Sequence, residues 1–304
     1  MPCDGTKPDP QITDTCISIH PGPGDNYWES PDINLNGFSD TANSNPQGAD
    51  NTVDVQIHRA ADPCPIDPNA LIVVDVFISM GGLNLSPVNA LAIGTKLVPL
   101  NQLPPNSSMW LSQVRPSQLI NWTLTQSNPY AVNGPGHRCL IARCYPEGQN
   151  PQPDCFHVPG DQHLAQRNIQ IALVSHRAPR LRVRIRTRNN REDQPEFATL
   201  RVTPDLKPSE RALQILSPGL EKTQGFQRVS DVAPIDFGFE LPHLQHEKGE
   251  DDVRVKLEQG QAISFKFTAD LSNSKRGDAH IFRLTHARPD RRVIGGLTLV
   301  AVVV

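Results

Sequence analysis

Aromatic residues are scarce in this chain, 5% of 304 positions with three Trp and three Tyr. That scarcity argues against a nucleic-acid partner, because single-strand binders stack bases on aromatic side chains interleaved with basic ones. Charge of one sign is lacking too. The formal net charge is −3, which by itself favours no polyanionic partner. Long hydrophobic runs are missing as well: the longest, residues 295–304, is half of the ~20 needed to cross a bilayer as a helix. No membrane span is expected. Met1 to Asp14 carries no basic stretch followed by an apolar one, so no secretion signal is read there.

Catalytic signatures are also absent. There is no Gly-x-Ser-x-Gly elbow, no phosphate-binding Gly-x-x-x-x-Gly-Lys loop and no dinucleotide fingerprint. His243-x-x-His246-Glu247 contains the residue types of a zinc hydrolase, but in the wrong order and within a charged loop. The expectation is a protein that is not an enzyme. Asn84, Asn106 and Asn121 begin glycosylation sequons, a three-residue pattern that chance supplies readily.

Proline is what the chain has in excess, 29 residues, close to twice its usual ~5% share. Each proline removes a donor and clashes inside a helix, which excludes a helical bundle or long coiled coil. Apolar runs at residues 71–78 and 297–304 exclude full disorder. What remains is an all-β fold of two tandem antiparallel β-sandwiches with long proline-rich loops. Residues 53–58 alternate strictly, with Val53, Val55 and Ile57 on one face. Further strands are read at 71–79, 90–98, 119–124, 138–145, 169–175 and 181–187, with one helical turn at 162–166. The polar cluster 188–194 is the natural boundary. Beyond it, strands are read at 197–202, 212–216, 253–257, 262–267, 279–284 and 293–304. The domain expectation is an extended segment at 1–27 outside either core, a first sandwich at 28–190 and a second at 191–304.

Near-neutrality conceals an asymmetry. Residues 1–160 hold 6 Lys and Arg against 14 Asp and Glu, a charge of −8; residues 161–304 hold 23 against 18, a charge of +5. Two such surfaces could orient the molecule in an assembly.

All six cysteines, Cys3, Cys16, Cys64, Cys139, Cys144 and Cys155, fall in the acidic half. An even count permits three disulfides. Cys144 with Cys155 would staple a proline-rich loop, and Cys3 with Cys16 would pin the N-terminal segment. Free buried thiols remain open, as does zinc held among His137, Cys139, Cys144, Cys155 and His157, though no Cys-x-x-Cys knuckle is present.

The stretch Trp28-Glu29-Ser30-Pro31-Asp32-Ile33 resembles a Trp-x-Ser-Pro-Asp-Ile signature of bacterial surface or secreted proteins carrying immunoglobulin-like, CARDB-like adhesion modules. Three later pieces follow in the same order: the approach from Gly48 to Arg59, Gly136-His137-Arg138-Cys139-Leu140-Ile141-Ala142-Arg143, and Asp161-Gln162-His163-Leu164-Ala165-Gln166-Arg167-Asn168-Ile169. The resemblance spans residues 27–175 and departs after Ile33, where Asn34-Leu35-Asn36-Gly37 replaces an aromatic and a basic residue. It implies immunoglobulin-like sandwiches and an extracellular scaffold or adhesive role without a catalytic set.

Two local patterns carry chemistry. Asp32, Asn34, Asn36 and Asp40 with Gly37 fit the opening of a calcium loop, spoiled at position 12 by Asn43. The alternative is that a strand begins at Asp32 and Ile33. Arg180, Arg182, Arg184, Arg186 and Arg188 alternate with Leu181, Val183, Ile185 and Thr187. On a strand they share one face, able to hold phosphate, sulfate, an acidic polysaccharide or an acidic subunit surface. The plainer reading is a solvated face neutralised by Glu192, Asp193 and Glu196. The uncharged run at the C-terminus must be either a central strand or one that pairs with another subunit.

The expected function is that of a structural or adhesive protein at the cell or particle surface, acting by protein contact and able to self-associate. The runners-up are a calcium-assisted carbohydrate-binding module and a subunit of a filament, phage-like tail or injection apparatus.

Overall fold

A computed structural model describes residues 11–12, 14–22, 26–36, 52–80, 82–83, 90–114, 138–149, 151, 158–189, 194–240 and 251–304. The fold is all-β, built as two sandwiches in tandem. In the first, β1 (Ile17–Ser18), β2 (Ile33–Asn36), β3 (Thr52–Arg59) and β6 (Ser107–Val114) form one sheet, with β3 at its centre. The facing sheet has the order β5 (Ala90–Pro99), β4 (Leu71–Met80), β7 (Arg138–Pro146), β8 (Leu164–Arg167). Alternation decides what goes inward: Val53, Val55 and Ile57 meet Ile72, Val74, Val76 and Ile78 in one core.

The N-terminal segment is part of that core, contrary to the expectation for residues 1–27. Ile17 and Ile19 are fully buried in it, and β1 pairs antiparallel with β3. Residues 164–167 form β8 and not the expected helical turn, because Ala142 and Arg143 of β7 pair with Ala165 and Leu164.

The second sandwich sets β10 (Arg180–Arg188), β15 (Ala262–Asp270) and β13 (Asp236–Glu240) against a larger sheet. That sheet has the order β14 (Asp252–Leu257), β11 (Glu196–Pro204), β16 (Asp278–Ala287), β17 (Val293–Val303), β9 (Ile169–Val174), with β12 (Arg228–Val229) beside β16. It is not purely antiparallel, since β17 with β9 and β12 with β16 run parallel. Among the described residues β9 and β10 pair with strands of the second sandwich, so the strand pairing changes from one sandwich to the other at Asn168, ahead of the polar cluster 188–194. The new boundary moves Asp161 and Arg167 together into the first half, so the charge asymmetry is unchanged.

The uncharged C-terminal run is a central strand, flanked by β16 and β9. Both its faces are covered. Leu297, Leu299, Ala301 and Val303 enter the sandwich core, while Val300 and Val302 meet a helix on the outer side. That helix, α1 (Glu210–Glu221), replaces the strand expected at 212–216. Ser209 caps it by accepting from Ala212 N–H, and Ala212, Ile215, Leu216 and Leu220 recur at helical spacing to form its buried stripe.

Candidate functional site

The Trp28–Ile33 stretch lies where the two sandwiches meet. Trp28 is fully buried and donates its indole Nε1–H to Thr298 Oγ1 of β17 at 2.9 Å. The Thr298 hydroxyl in turn donates to Glu29 Oε1. Glu29, also fully buried, pairs with Arg283 of β16 at 3.1 Å, and Arg283 also holds Asp205. The Trp28 ring lies so close to Gly296 that a Cβ there would sit 2.3 Å from ring carbons. Glycine is therefore required by contact.

Asn168 completes the joint. Its side chain donates to the carbonyls of Gly82 and Gly296, its backbone N–H donates to Trp28 O at 2.9 Å, and Cys139 donates to its Oδ1. Three stretches quoted separately from the sequence, around Trp28, Cys139 and Asn168, thus converge on one buried network. Ser30 N–H donates to Gln166 O at 3.0 Å, extending it.

The next residues of the stretch, Ser30 and Asp32, are also buried and meet two histidines of the first sandwich. Asp32 Oδ2 accepts from the His20 backbone N–H at 2.6 Å and lies 2.7 Å from His58 Nε2 and 3.6 Å from His20 Nδ1. The two imidazoles stack with centroids 3.7 Å apart. Ser30 Oγ donates to His20 O and accepts from Asp32 N–H, fixing the carboxylate relative to the first histidine. Burial, together with the facing His58, holds the His20 pKa below its ordinary value although Asp32 acts in the opposite direction. Nothing local in the sequence marks this cluster, since positions 20, 32 and 58 meet only through β1, β2 and β3.

Asp32 opens the calcium-loop pattern, but the described part of that pattern is extended. Residues 33–36 form β2 in register with residues 52–55 of β3, and an extended strand lacks the tight turn that curls successive oxygen ligands around an ion. The strand alternative stands for Asn34 and Asn36; Asp40 and Asn43 lie outside the described residues.

The cysteines divide differently from either local staple. Cys16 is bonded to Cys64, joining β1 to the segment after β3. Cys139 and Cys144 are buried, and Cys144 carries no disulfide, so the Cys144–Cys155 staple is not formed and Cys16 is unavailable to Cys3. Cys3, Cys155, His137 and His157 lie outside the described residues, as do Asn84, Asn121, His243, His246 and the strand expected at 119–124. Burial and the nearby carboxylates of Asp14, Asp161 and Asp32 push the Cys144 thiol well above its ordinary pKa, which removes its nucleophilic form near neutrality.

Close to Cys144, His163 is buried between two carboxylates, 2.9 Å from Asp161 and 3.1 Å from Asp14. Burial lowers the imidazole pKa, but hydrogen bonds and charge from both aspartates outweigh it and raise the value to about 9. Asp14 Oδ1 also accepts from the Cys16 and Ile17 backbone N–H groups. The group is thus a charged pin between β1 and the start of β8.

The arginine pattern falls as expected on a strand. β10 alternates exposed and buried positions, with Arg180, Arg182 and Arg184 exposed, Arg186 and Arg188 half-buried, and Leu181, Val183 and Ile185 in the core. Register places Asp270, Thr268, Lys266, Ser264 and Ala262 beside the five arginines in order. Arg180 pairs with Asp270 at 3.6 Å, while Lys266, next to Arg184, reaches Glu240 at 3.9 Å. Among the described residues, Arg182 and Arg184 have no ion-pair partner. Glu196 does not neutralise the row: it is buried near His286 and Arg288, at 3.5 and 3.6 Å. Glu192 and Asp193 lie outside the described residues.

No helix among the described residues is long and apolar enough to cross a membrane. No protein-family model matches the sequence, and no curated protein matches it. Among solved structures, CBD12 from CALX1.2 is similar at 11% identity, covering 79% of this chain and 76% of its own, with a TM-score of 0.19. The collagen adhesin of S. aureus is similar at 8% identity over 98% of this chain and 95% of its own, TM-score 0.21. The adhesive subunit CfaE of the CFA/I fimbria of enterotoxigenic Escherichia coli is similar at 8% identity over 95% and 94%, TM-score 0.23. Likeness at this level carries no argument about what this chain does.

Proposed function

We propose that this chain is a non-enzymatic structural or adhesive protein of the cell or particle surface that acts by contact between protein surfaces. The contact runs through the arginine face of β10, and its partner is an acidic protein surface, in the first instance the acidic first sandwich of a second copy. The single observation that carries this reading is the row of guanidiniums. Arg182 and Arg184 stand exposed on a rigid strand whose opposite face is locked in the core, without an ion-pair partner among the described residues. Planar, permanently charged guanidiniums at fixed spacing suit bidentate contact with carboxylates. The −8 and +5 halves add long-range attraction in a head-to-tail sense.

The buried joint around Trp28 supports the same reading, because a contact surface divided between two sandwiches needs them held in fixed relation. The resemblance of the Trp28–Ile33 stretch to CARDB-like adhesion modules agrees with a surface role. Replacing Arg182, Arg184 and Arg186 with Gln is expected to abolish capture of the chain on an immobilised second copy, with the circular dichroism spectrum unchanged. Capture by the triple variant equal to that of the parent would end the proposal. Transfer of the salt-sensitive binding to an acidic polysaccharide, with no binding to protein, would move the function to the polysaccharide reading instead.

A further inference from the structure

We infer that His20, Asp32 and His58 form a divalent transition-metal site, with Zn2+ as the fitting ion. The ligand atoms His20 Nδ1 or Nε2, a carboxylate oxygen of Asp32 and His58 Nε2 lie within 4.8 Å of one another. In a tetrahedral zinc site with bonds of ~2.0–2.1 Å, neighbouring donors are ~3.3 Å apart. The observed separations from Asp32 Oδ2, 3.6 Å to His20 Nδ1 and 2.7 Å to His58 Nε2, bracket that value. Both separations lie within ~1 Å of that spacing.

Both imidazoles turn a nitrogen toward the same carboxylate, and no other hydrogen-bond partner holds either ring among the described residues. Two nitrogens and one carboxylate oxygen suit zinc and its neighbours in the transition series, whereas calcium and magnesium call for oxygen donors. The supporting shell is also present. Ser30 bridges the Asp32 backbone N–H and the His20 carbonyl, and the His20 backbone N–H fixes Asp32 Oδ2. Such outer partners orient ligands in metal sites.

The site opens on one side. An open cleft of about 370 Å³, lined by Ser18, His20, His58, Arg59, Asn106 and Ser108, leaves room for a fourth donor. In the sheet Ser18 and Ser108 stand opposite His58 on β1 and β6, so small side chains border the ion's position. The nearby Arg59 is engaged, pairing with Asp62 at 3.1 Å and donating to Leu103 O at 2.9 Å. Three protein ligands with one open position is the pattern that accepts a water or a donor from an incoming partner. The site lies on the first sandwich and is independent of the β10 face.

The test is calorimetric titration of Zn2+ into the full chain after chelator treatment. One ion per chain with a dissociation constant of ~10 μM or tighter is expected, and the double variant His20→Ala, His58→Ala is expected to lose at least ~100-fold in affinity. Ser30→Ala, which spares the ligands, is expected to lose ~10-fold or more. Because both histidines are at least partly exposed, the double variant should fold; should it not, His58→Gln alone serves the same comparison. Co2+ loaded into the parent is expected to give visible d–d bands without a thiolate charge-transfer band, which separates this site from one built on cysteine. Absence of Zn2+ uptake by the parent, uptake unchanged in the histidine variants, or a thiolate signature would each overturn the inference.

Discussion

Trp28 and Thr298, 270 residues apart, are joined by a hydrogen bond from the indole Nε1 to the threonine hydroxyl at 2.9 Å. The bond ties the first sandwich to an interior strand of the second. Through Thr298 it also orients Glu29, so an apolar contact and a buried charge share one support. Trp28→Ala removes the ring that packs on Gly296 and leaves the Thr298 hydroxyl without its donor. The expected cost is ~3–5 kcal/mol, read as a lower urea midpoint. The complementary variant Gly296→Ala, which pushes a methyl into the Trp28 ring, is expected to cost ~1–3 kcal/mol. Full stability in both variants would show that the joint contributes nothing.

Arg283 faces the buried Glu29 and, on its other side, Asp205. Arg283→Met strands the Glu29 carboxylate in a site with no exposure. Leaving one buried charge uncompensated costs ~3–5 kcal/mol, whereas removing both partners of a pair can be close to neutral. The double variant Arg283→Met, Glu29→Leu is therefore expected to be more stable than Arg283→Met alone. Equal stability of the two in denaturant titrations would contradict the pairing.

His163 makes stability depend on pH. Its folded pKa, raised to about 9 by Asp14 and Asp161 against the opposing effect of burial, lies above the ordinary 6.5. A raised histidine pKa means that the fold favours the protonated form. The stabilisation is fully present below pH ~6.5, falls as pH rises and is gone above ~9; it amounts to at most ~3 kcal/mol. Unfolding free energies measured across that window should decline with pH, and His163→Gln should flatten the decline. An equally steep decline in His163→Gln would assign the effect to another group.

Much of this architecture was legible from alternation. Val53, Val55 and Ile57 announced β3, the five arginines announced β10, and the uncharged run ending at Val304 announced a strand, central or paired with another subunit; the structure makes it central. Other features misled for definite reasons. Ala212 to Leu216 is short and apolar enough to read as a strand; the helix is visible only when Ser209 is taken as its cap and the spacing is followed to Leu220. Pro218 sits inside the helix, where a proline is ordinarily disfavoured. The polar cluster 188–194 looked like a linker, while the true crossing at Asn168 has no compositional mark because the chain passes from β8 to β9 through one buried residue. The histidine cluster joins positions 20, 32 and 58, and only strand pairing brings them together. Of the Trp28–Ile33 stretch, the order of residues was evident but not its division of labour, in which Trp28 and Glu29 face the second sandwich while Asp32 faces the histidines.

The Cys16–Cys64 bond closes a loop with a sequence separation of 48 residues. Restricting the unfolded chain by a loop of that length is worth ~4 kcal/mol in the chain-entropy description. Cys64→Ser is expected to lower stability by about that amount, while Cys144→Ala, which empties a buried site without breaking a crosslink, should cost less. Peptide mapping without reductant should recover residues 16 and 64 as one linked peptide; recovery of both as free thiols would contradict the assignment.

The role given to the β10 face is tested most directly by sedimentation equilibrium of the full chain at low and high salt, parent beside the charge-reversed variant Arg182→Glu, Arg184→Glu. Contacts between exposed charges weaken as the screening length shrinks from ~10 Å at 0.1 M salt to ~3 Å at 1 M. The account predicts a parent mass above the 33.5 kDa of one chain at low salt, falling to one chain at high salt, with the variant at one chain throughout. A parent that sediments as a single chain at both salt concentrations, or a variant that associates as the parent does, would contradict it.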